Sequence, residues 1–215
     1  MPGRRRYTDP CPIAQALDLV GERWALLIVR ELLPGPKRFT DLRTGLDGIS
    51  PNVLSQRLEE LEEGGVVDRR YLPPPAASQV YELSAWGRDL EPIVRAIGRW
   101  GRGRAGPTPE GRLSASALLL LVEDLFDPEA AAGLKARVAL HLGSEQAQYR
   151  ITKKELRPES PDGSEPDTVL TASPDTVFSV LRGAEGFATA TAEGRLDVRG
   201  DPTLAERFFT LFRRP

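Results

Sequence analysis

The stretch Ile49-Ser50-Pro51-Asn52-Val53-Leu54-Ser55-Gln56-Arg57-Leu58-Glu59-Glu60-Leu61-Glu62-Glu63-Gly64-Gly65 decides the fold. Ser50 is a good N-cap residue. Pro51 suits the first helical position, where its missing N–H would be unpaired anyway. Leu54, Leu58 and Leu61 recur at helical spacing, and Gly64-Gly65 ends the run. Because those leucines share one face, Asn52, Ser55, Gln56 and Glu59 point largely the other way. Asn and Gln can pair bidentately with adenine N6 and N7, and the free N–H groups of a first helical turn attract phosphate. The acidic run Glu59–Glu63 confines any such contact to the first two turns. Its last turn must face solvent or arginines, since it would repel DNA.

Working outward, Pro12 opens a helix with Ile13, Ala16, Leu17 and Val20 at helical spacing, and Gly21 closes it. Trp24–Leu33 predicts a second, strongly apolar helix stopped by Pro34-Gly35-Pro36. Thr40-Asp41-Leu42 opens a third, closed by Gly45. Downstream, Val66–Leu72 and Gln79–Leu83 predict two short strands around the uncharged tip Pro73–Ser78. Ala85–Trp100 predicts a last helix with Leu90, Ile93, Val94, Ile97 and Trp100 along one stripe. Helices, hairpin and helix in this order make a winged helix-turn-helix. Arg38, Thr40 and Arg43 then lie where the preceding helix crosses a DNA backbone. Arg69 and Arg70, at the start of the hairpin, suit phosphate or minor-groove contact. The candidate DNA contacts are Arg38, Thr40, Ser50, Asn52, Ser55, Gln56, Arg57, Arg69 and Arg70. Taken singly, each arginine reads equally as a solvated surface charge.

The 215 residues fit one large domain or two small ones. Gly101–Gly111 holds four Gly and two Pro in eleven residues, which predicts a linker over 102–111 between domains 1–101 and 112–215. Residues 1–106 carry a net charge of +2 and residues 107–215 a net charge of −4, compatible with only the first part touching nucleic acid. The longest apolar runs are six residues, against about 20 for a bilayer span, so no membrane segment is expected. No apolar export signal follows Met1, and Cys11 is the one cysteine, so a reducing cytoplasm is expected. A single cysteine and a single histidine, His141, exclude multi-cysteine and multi-histidine metal sites, and no cofactor or metal is expected. No P-loop occurs, and nothing places a serine or carboxylate with His141, so an enzyme is not expected.

The second half reads as α+β. Ser114–Phe126 is an apolar helix and Leu134–Leu142 an alternating strand. Gln146–Thr152 and Thr168–Thr171 are further strands, with Arg157–Asp167 a surface loop between them. Ser173-Pro174-Asp175 is a cap, N1 proline and acidic first turn, opening a helix to about Leu181. Arg195–Arg199 is a strand, and Asp201-Pro202 starts a final helix carrying Leu204, Phe208, Leu211 and Phe212.

Several blocks carry a family resemblance: Cys11-Pro12-Ile13, Val20-Gly21-Glu22-Arg23-Trp24, Ile28–Leu33, Arg38-Phe39-Thr40-Asp41-Leu42, Ile49–Leu58, Leu61–Val67 and Tyr81–Gly87. In order and spacing they resemble the HxlR-type winged helix-turn-helix regulators, over about residues 7–101. The resemblance implies a dimeric, DNA-binding transcriptional regulator of bacterial type. It would recognise a double-stranded operator through the helix after Ser50 and dimerise through helices Pro12–Val20 and Ala85–Trp100. Two recognition helices related by a twofold axis would read half-sites about 34 Å apart. Ser84 stands where the family usually has threonine, and the wing tip, normally charged, is proline-rich here. Some members of the family sense oxidants through an N-terminal cysteine, and Cys11 sits at that place. A thiol beside a helix N-terminus is more reactive, but Cys-Pro also belongs to the family pattern as a packing element.

Leu134–Leu142, Thr168–Thr176 and Gly194-Arg195-Leu196-Asp197-Val198-Arg199-Gly200-Asp201-Pro202 resemble the SCP2-like sterol-carrier domain, over about residues 112–213. That resemblance implies a small sheet with helices over one face and an apolar cavity for a hydrophobic molecule. Its expected lining is Leu118, Leu121, Phe126, Phe178, Phe187, Phe208, Phe209 and Phe212, residues that an ordinary core would also use. The expected whole is a homodimeric DNA-binding regulator whose second domain binds an apolar effector. Two alternatives stay open: a hydrophobic-ligand carrier or oligomerisation module that has lost DNA binding, and a thiol-based redox regulator through Cys11.

Overall fold

In the computed structural model, residues 7–73, 77–103, 111–152, 155–159 and 164–213 are described. The chain divides into two compact units, Met1–Ser116 and Ala117–Pro215. The first contains α1 (Pro12–Val20), α2 (Ala25–Leu32), α3 (Phe39–Gly45), α4 (Pro51–Glu63), β1 (Val67–Tyr71), β2 (Gln79–Leu83), α5 (Ala85–Arg88) and α6 (Glu91–Arg102). The strands form an antiparallel hairpin, with Val67 opposite Leu83 and Tyr71 opposite Gln79. The core gathers around α2, whose Ile28, Val29 and Leu32 meet Leu42, Leu54, Leu58, Leu61, Val67 and Leu83. Trp24 precedes α2 with φ +80°, a left-handed conformation unusual for a bulky residue. Its half-buried ring packs on this core, and the Arg23 guanidinium lies 5.1 Å from the ring centroid.

The continuous stripe over Ala85–Trp100 predicts one helix, but the structure has two, α5 and α6, broken at Asp89-Leu90. Pro92 is the cause. It has no N–H to give the Arg88 carbonyl, so the ladder of α5 cannot run through it, whereas near the start of α6 the missing donor goes unneeded. Gly87 serves a separate end: a Cβ there would strike the Val66 carbonyl oxygen, so only glycine lets α5 pass this close.

One polar cluster is sealed inside the first unit. Glu31 is fully buried and accepts from Lys37 Nζ at 3.2 Å, Arg30 Nη2 at 2.7 Å and Ser114 Oγ at 2.5 Å. Lys37 Nζ also donates to Ser116 Oγ at 2.7 Å. A buried carboxylate is tolerable only with its oxygens occupied in this way. The residues holding it come from α2, the segment before α3 and the segment 114–116.

The second unit contains most of α7 (Ala115–Leu125), then β3 (Ala136–Leu142), β4 (Glu145–Thr152), β5 (Glu155–Glu159), β6 (Thr168–Ala172), α8 (Pro174–Leu181), α9 (Phe187–Ala192), β7 (Leu196–Gly200) and α10 (Pro202–Phe209). The sheet order is β5-β4-β3-β6-β7, antiparallel except for the parallel β3–β6 pair. Register puts Val138, Leu140, Tyr149, Ile151 and Leu170 on one face, all buried, and Tyr149 Oη donates to Glu123 of α7 at 3.1 Å. The opposite face is polar, with Glu159 accepting from Arg137 at 3.2 Å and from Arg150. Half-buried His141 lies on that face.

Three sequence expectations are corrected here. Arg157–Pro158 is not loop but part of edge strand β5, where a proline does no harm because no further strand needs its N–H; residues 160–163 of the expected loop lie outside the described residues. The helix α9 was not anticipated. The final helix ends at Phe209, so Leu211 and Phe212 lie beyond it, with Phe212 bridging to Phe126 instead. The expected linker centre, 104–110, is also outside the described residues.

Candidate nucleic-acid interface

Local sequence fixes α4 firmly. Ser50 Oγ accepts from Val53 N at 3.3 Å, Pro51 starts the helix, and the buried leucines hold it to the core. Asn52, Ser55 and Gln56 are exposed, as the spacing predicts, and lie in the first two turns. Helical geometry sets Asn52 and Gln56 one turn apart on the outermost line. The start of α3 is held by a cap in which Asp41 Oδ2 accepts from Arg38 N at 3.2 Å. Thr40 is exposed and its hydroxyl lies 3.3 Å from Asp41 Oδ1.

The arginines divide by partner. Arg38 is exposed and donates from Nε to Ser78 Oγ at 3.0 Å, tying the start of α3 to the wing. Arg57 is turned inward, 14% exposed, and pairs with Glu60 and, at 3.8 Å, with Glu22. Arg69 pairs with Glu62 at 2.7 Å and lies over the Tyr81 ring, and Arg70 pairs with Glu82 at 3.2 Å. Two of the four glutamates in the acidic run are thereby neutralised by the protein's own arginines. The same pairs hold Arg57, Arg69 and Arg70 partly back from phosphate. Sequence reasoning missed the second role of Glu60, which accepts from both Gln56 Nε2 (3.0 Å) and Arg57. The i to i+4 spacing of Gln56 and Glu60 was the available signal.

A second surface stands out. Ile93, Ile97 and Trp100 of α6 are 49%, 46% and 84% exposed, and Ile13 and Leu17 of α1 are exposed too. Half-buried Cys11 caps α1 by position, with its N–H donating to Asp9 at 2.9 Å. In the second unit, Phe126, Phe208, Phe209, Phe212 and Phe187 form a chain of ring contacts with centroids 4.9–6.2 Å apart. Leu118 and Phe208 are fully buried, and Leu121 is half-buried. Phe178 instead meets the Arg182 guanidinium at 5.7 Å. Among the described residues, no helix is long and apolar enough to cross a membrane and no group of three metal-ligating side chains gathers.

A three-helix core, a recognition helix with a polar, exposed front and a two-stranded wing define a winged helix-turn-helix DNA-binding protein. Residues 19–108 match the HxlR-like helix-turn-helix family, and residues 116–213 match the SCP-2 sterol transfer family. The uncharacterized HTH-type transcriptional regulator YvaP of Bacillus subtilis is 39% identical over 94 residues, covering 43% of this chain and 87% of that protein. The HTH-type transcriptional regulator YodB of the same organism is 35% identical over 91 residues, covering 42% and 81%. The uncharacterized HTH-type transcriptional regulator Rv3095 of Mycobacterium tuberculosis is 41% identical over 99 residues, covering 46% and 61%. The chain therefore belongs to the HxlR-like helix-turn-helix transcriptional regulators and carries an SCP-2 family domain behind the DNA-binding one.

Proposed function

We propose that this regulator binds its operator as a homodimer through the first two turns of α4, and that an apolar effector taken up by the second unit alters that binding. The observation that carries the reading is the exposed set Asn52, Ser55 and Gln56 on a helix whose opposite face is fully buried. Asn52, Ser55 and Gln56 meet base edges. Ser50, Thr40 and Arg38 meet phosphates beside them, and Arg57, Arg69 and Arg70 join only by exchanging a carboxylate for a phosphate oxygen. Ile13, Leu17, Ile93, Ile97 and Trp100 supply the apolar face that pairs with its copy. The linked phenylalanines of the second unit supply a deformable apolar lining. An effector that favours one spacing of the two recognition helices would couple to DNA by about 1–3 kcal/mol.

Gel-shift titration of the full chain on DNA upstream of its own gene, with salt varied, tests the first part. Binding that weakens steeply with salt is expected; no shift of any upstream fragment at modest salt overturns it. The pairing of three arginines with glutamates favours one second reading, a ligand carrier that no longer binds DNA. Native mass spectrometry separates the two: a co-purifying apolar molecule in a protein without DNA affinity supports the carrier.

A further inference from the structure

We propose that Glu60 is a positioning residue that makes Gln56 selective for adenine over guanine. The inference rests on the reading of α4 as the DNA-reading helix. Its starting point is the 3.0 Å bond from Gln56 Nε2 to Glu60 Oε1. A free glutamine amide can turn over, showing either its carbonyl or its N–H groups to a ligand. A carboxylate can only accept, so Glu60 settles which end of the amide faces it. The carboxylate also repels the carbonyl oxygen, so the bond uses the N–H that points away from that oxygen. The remaining edge, carrying the carbonyl oxygen and the second N–H side by side, is turned away from Glu60. Adenine presents N6–H₂ as donor and N7 as acceptor in the major groove and matches that edge. Guanine presents two acceptors, N7 and O6, and sets O6 against the fixed carbonyl.

Glu60 is itself held. Its other oxygen, Oε2, accepts from Arg57 Nη1, and the same nitrogen lies 3.8 Å from Glu22 Oε2. The relay Glu22–Arg57–Glu60–Gln56 therefore runs from the residue two before Trp24 to the outer line of α4. Arg57 is 14% exposed and Glu60 19%, so both are shielded from competition by water more than a surface pair would be. Gln56, by contrast, is exposed and aimed outward.

The test selects preferred sites from a pool of duplexes randomised over 20 base pairs, using the full-length protein and its Glu60→Ala and Glu60→Gln variants. The native protein should prefer adenine to guanine at one position of each half-site by about tenfold, the scale of one good bidentate contact. Glu60→Ala should lower that preference to about twofold or less, and Glu60→Gln should fall between. Glu62→Ala removes the same charge from the same helix without touching Gln56, and should change affinity and salt dependence for all sequences but no base preference. In a Gln56→Ala background, Glu60→Ala should leave the base preference unaltered. Thermal melts of each variant confirm folding, and Glu60→Gln keeps the test open if Glu60→Ala unfolds. An adenine preference that survives Glu60→Ala in a folded protein overturns the proposal and leaves the DNA-binding reading standing. Selection of no sequence by the native protein overturns both.

Discussion

Helices α4 and α6 are both amphipathic, yet they spend their two faces in opposite ways. The apolar stripe of α4, Leu54, Leu58 and Leu61, is buried within its own unit, which leaves the polar side displayed. The stripe of α6 is left largely open: Ile93, Ile97 and Trp100 are exposed, and Val94, with Leu90 just before the helix, packs partly on the core. A helix held by its apolar side can offer hydrogen-bonding groups in a fixed position. A helix that shows its apolar side has something left to bury, and a second copy of the same surface is the simplest cover. The first kind of helix suits reading, the second suits pairing.

The sharpest way to break this contrast is to truncate one apolar side chain on each helix. Leu58→Ala should destabilise the protein by about 2–5 kcal/mol in denaturant titration, as for any fully buried leucine. Ile97→Ala should cost dilute protein no more than about 0.5 kcal/mol. Equal losses would mean that α6 is packed as α4 is. The pairing role proposed for α6 is sharpened by Trp100→Ala. A central aromatic anchor contributes about 2 kcal/mol or more to an interface, so self-association measured by sedimentation should weaken at least about thirtyfold.

The reading role proposed for α4 predicts a smaller, sequence-selective effect. Asn52→Ala should cost about 1–3 kcal/mol on the selected site and little on random DNA. Arg38→Ala should instead weaken all sequences and lower the salt slope by about one. A uniform loss from Asn52→Ala would remove it from the base-reading set.

The smallest expected effect serves as a control that leaves both helices alone. Burial by itself raises the pKa of Glu159, but hydrogen bonds and charge from Arg150 and then Arg137 outweigh it and hold the carboxyl below its usual 4.5. A carboxyl lowered in the folded state adds stability above its ordinary pKa, lost as pH falls through the folded value. Native protein should thus melt slightly above Glu159→Gln at neutral pH, with the gap closing as the solution is acidified below 4.5. DNA binding should not change.

Much of this architecture was legible because its signals are local. Ser50-Pro51, Ser173-Pro174 and Asp201-Pro202 each mark a helix start, and each caps as its chemistry requires. The leucine spacing of α4 fixed which side chains face outward. What escaped notice was either masked by periodicity or set by distant residues. The stripe of Ala85–Trp100 stays in phase across the break at Asp89-Leu90, so only Pro92 betrayed it. Strand β5 contains a proline and becomes a strand only because β4 offers its edge. The six residues of α9 alternate phenylalanine, alanine and threonine without a helical stripe. Within the site, the positions of Asn52, Ser55 and Gln56 could be read from one helix. The pairing of Arg69 with Glu62 and of Arg57 with Glu22 needed the fold, since these residues belong to different elements. The buried Glu31 had one available sign, a single carboxylate inside the largely apolar helical segment Trp24–Leu33.

The claim on which the others depend is that the polar front of α4 is presented twice, in register with the major groove. Hydroxyl-radical footprinting of the full-length protein on a selected duplex measures this directly. Two protected patches on one side of the DNA, about 10 base pairs or 34 Å between centres, are predicted. A single patch, or cleavage unchanged by saturating protein, would contradict it.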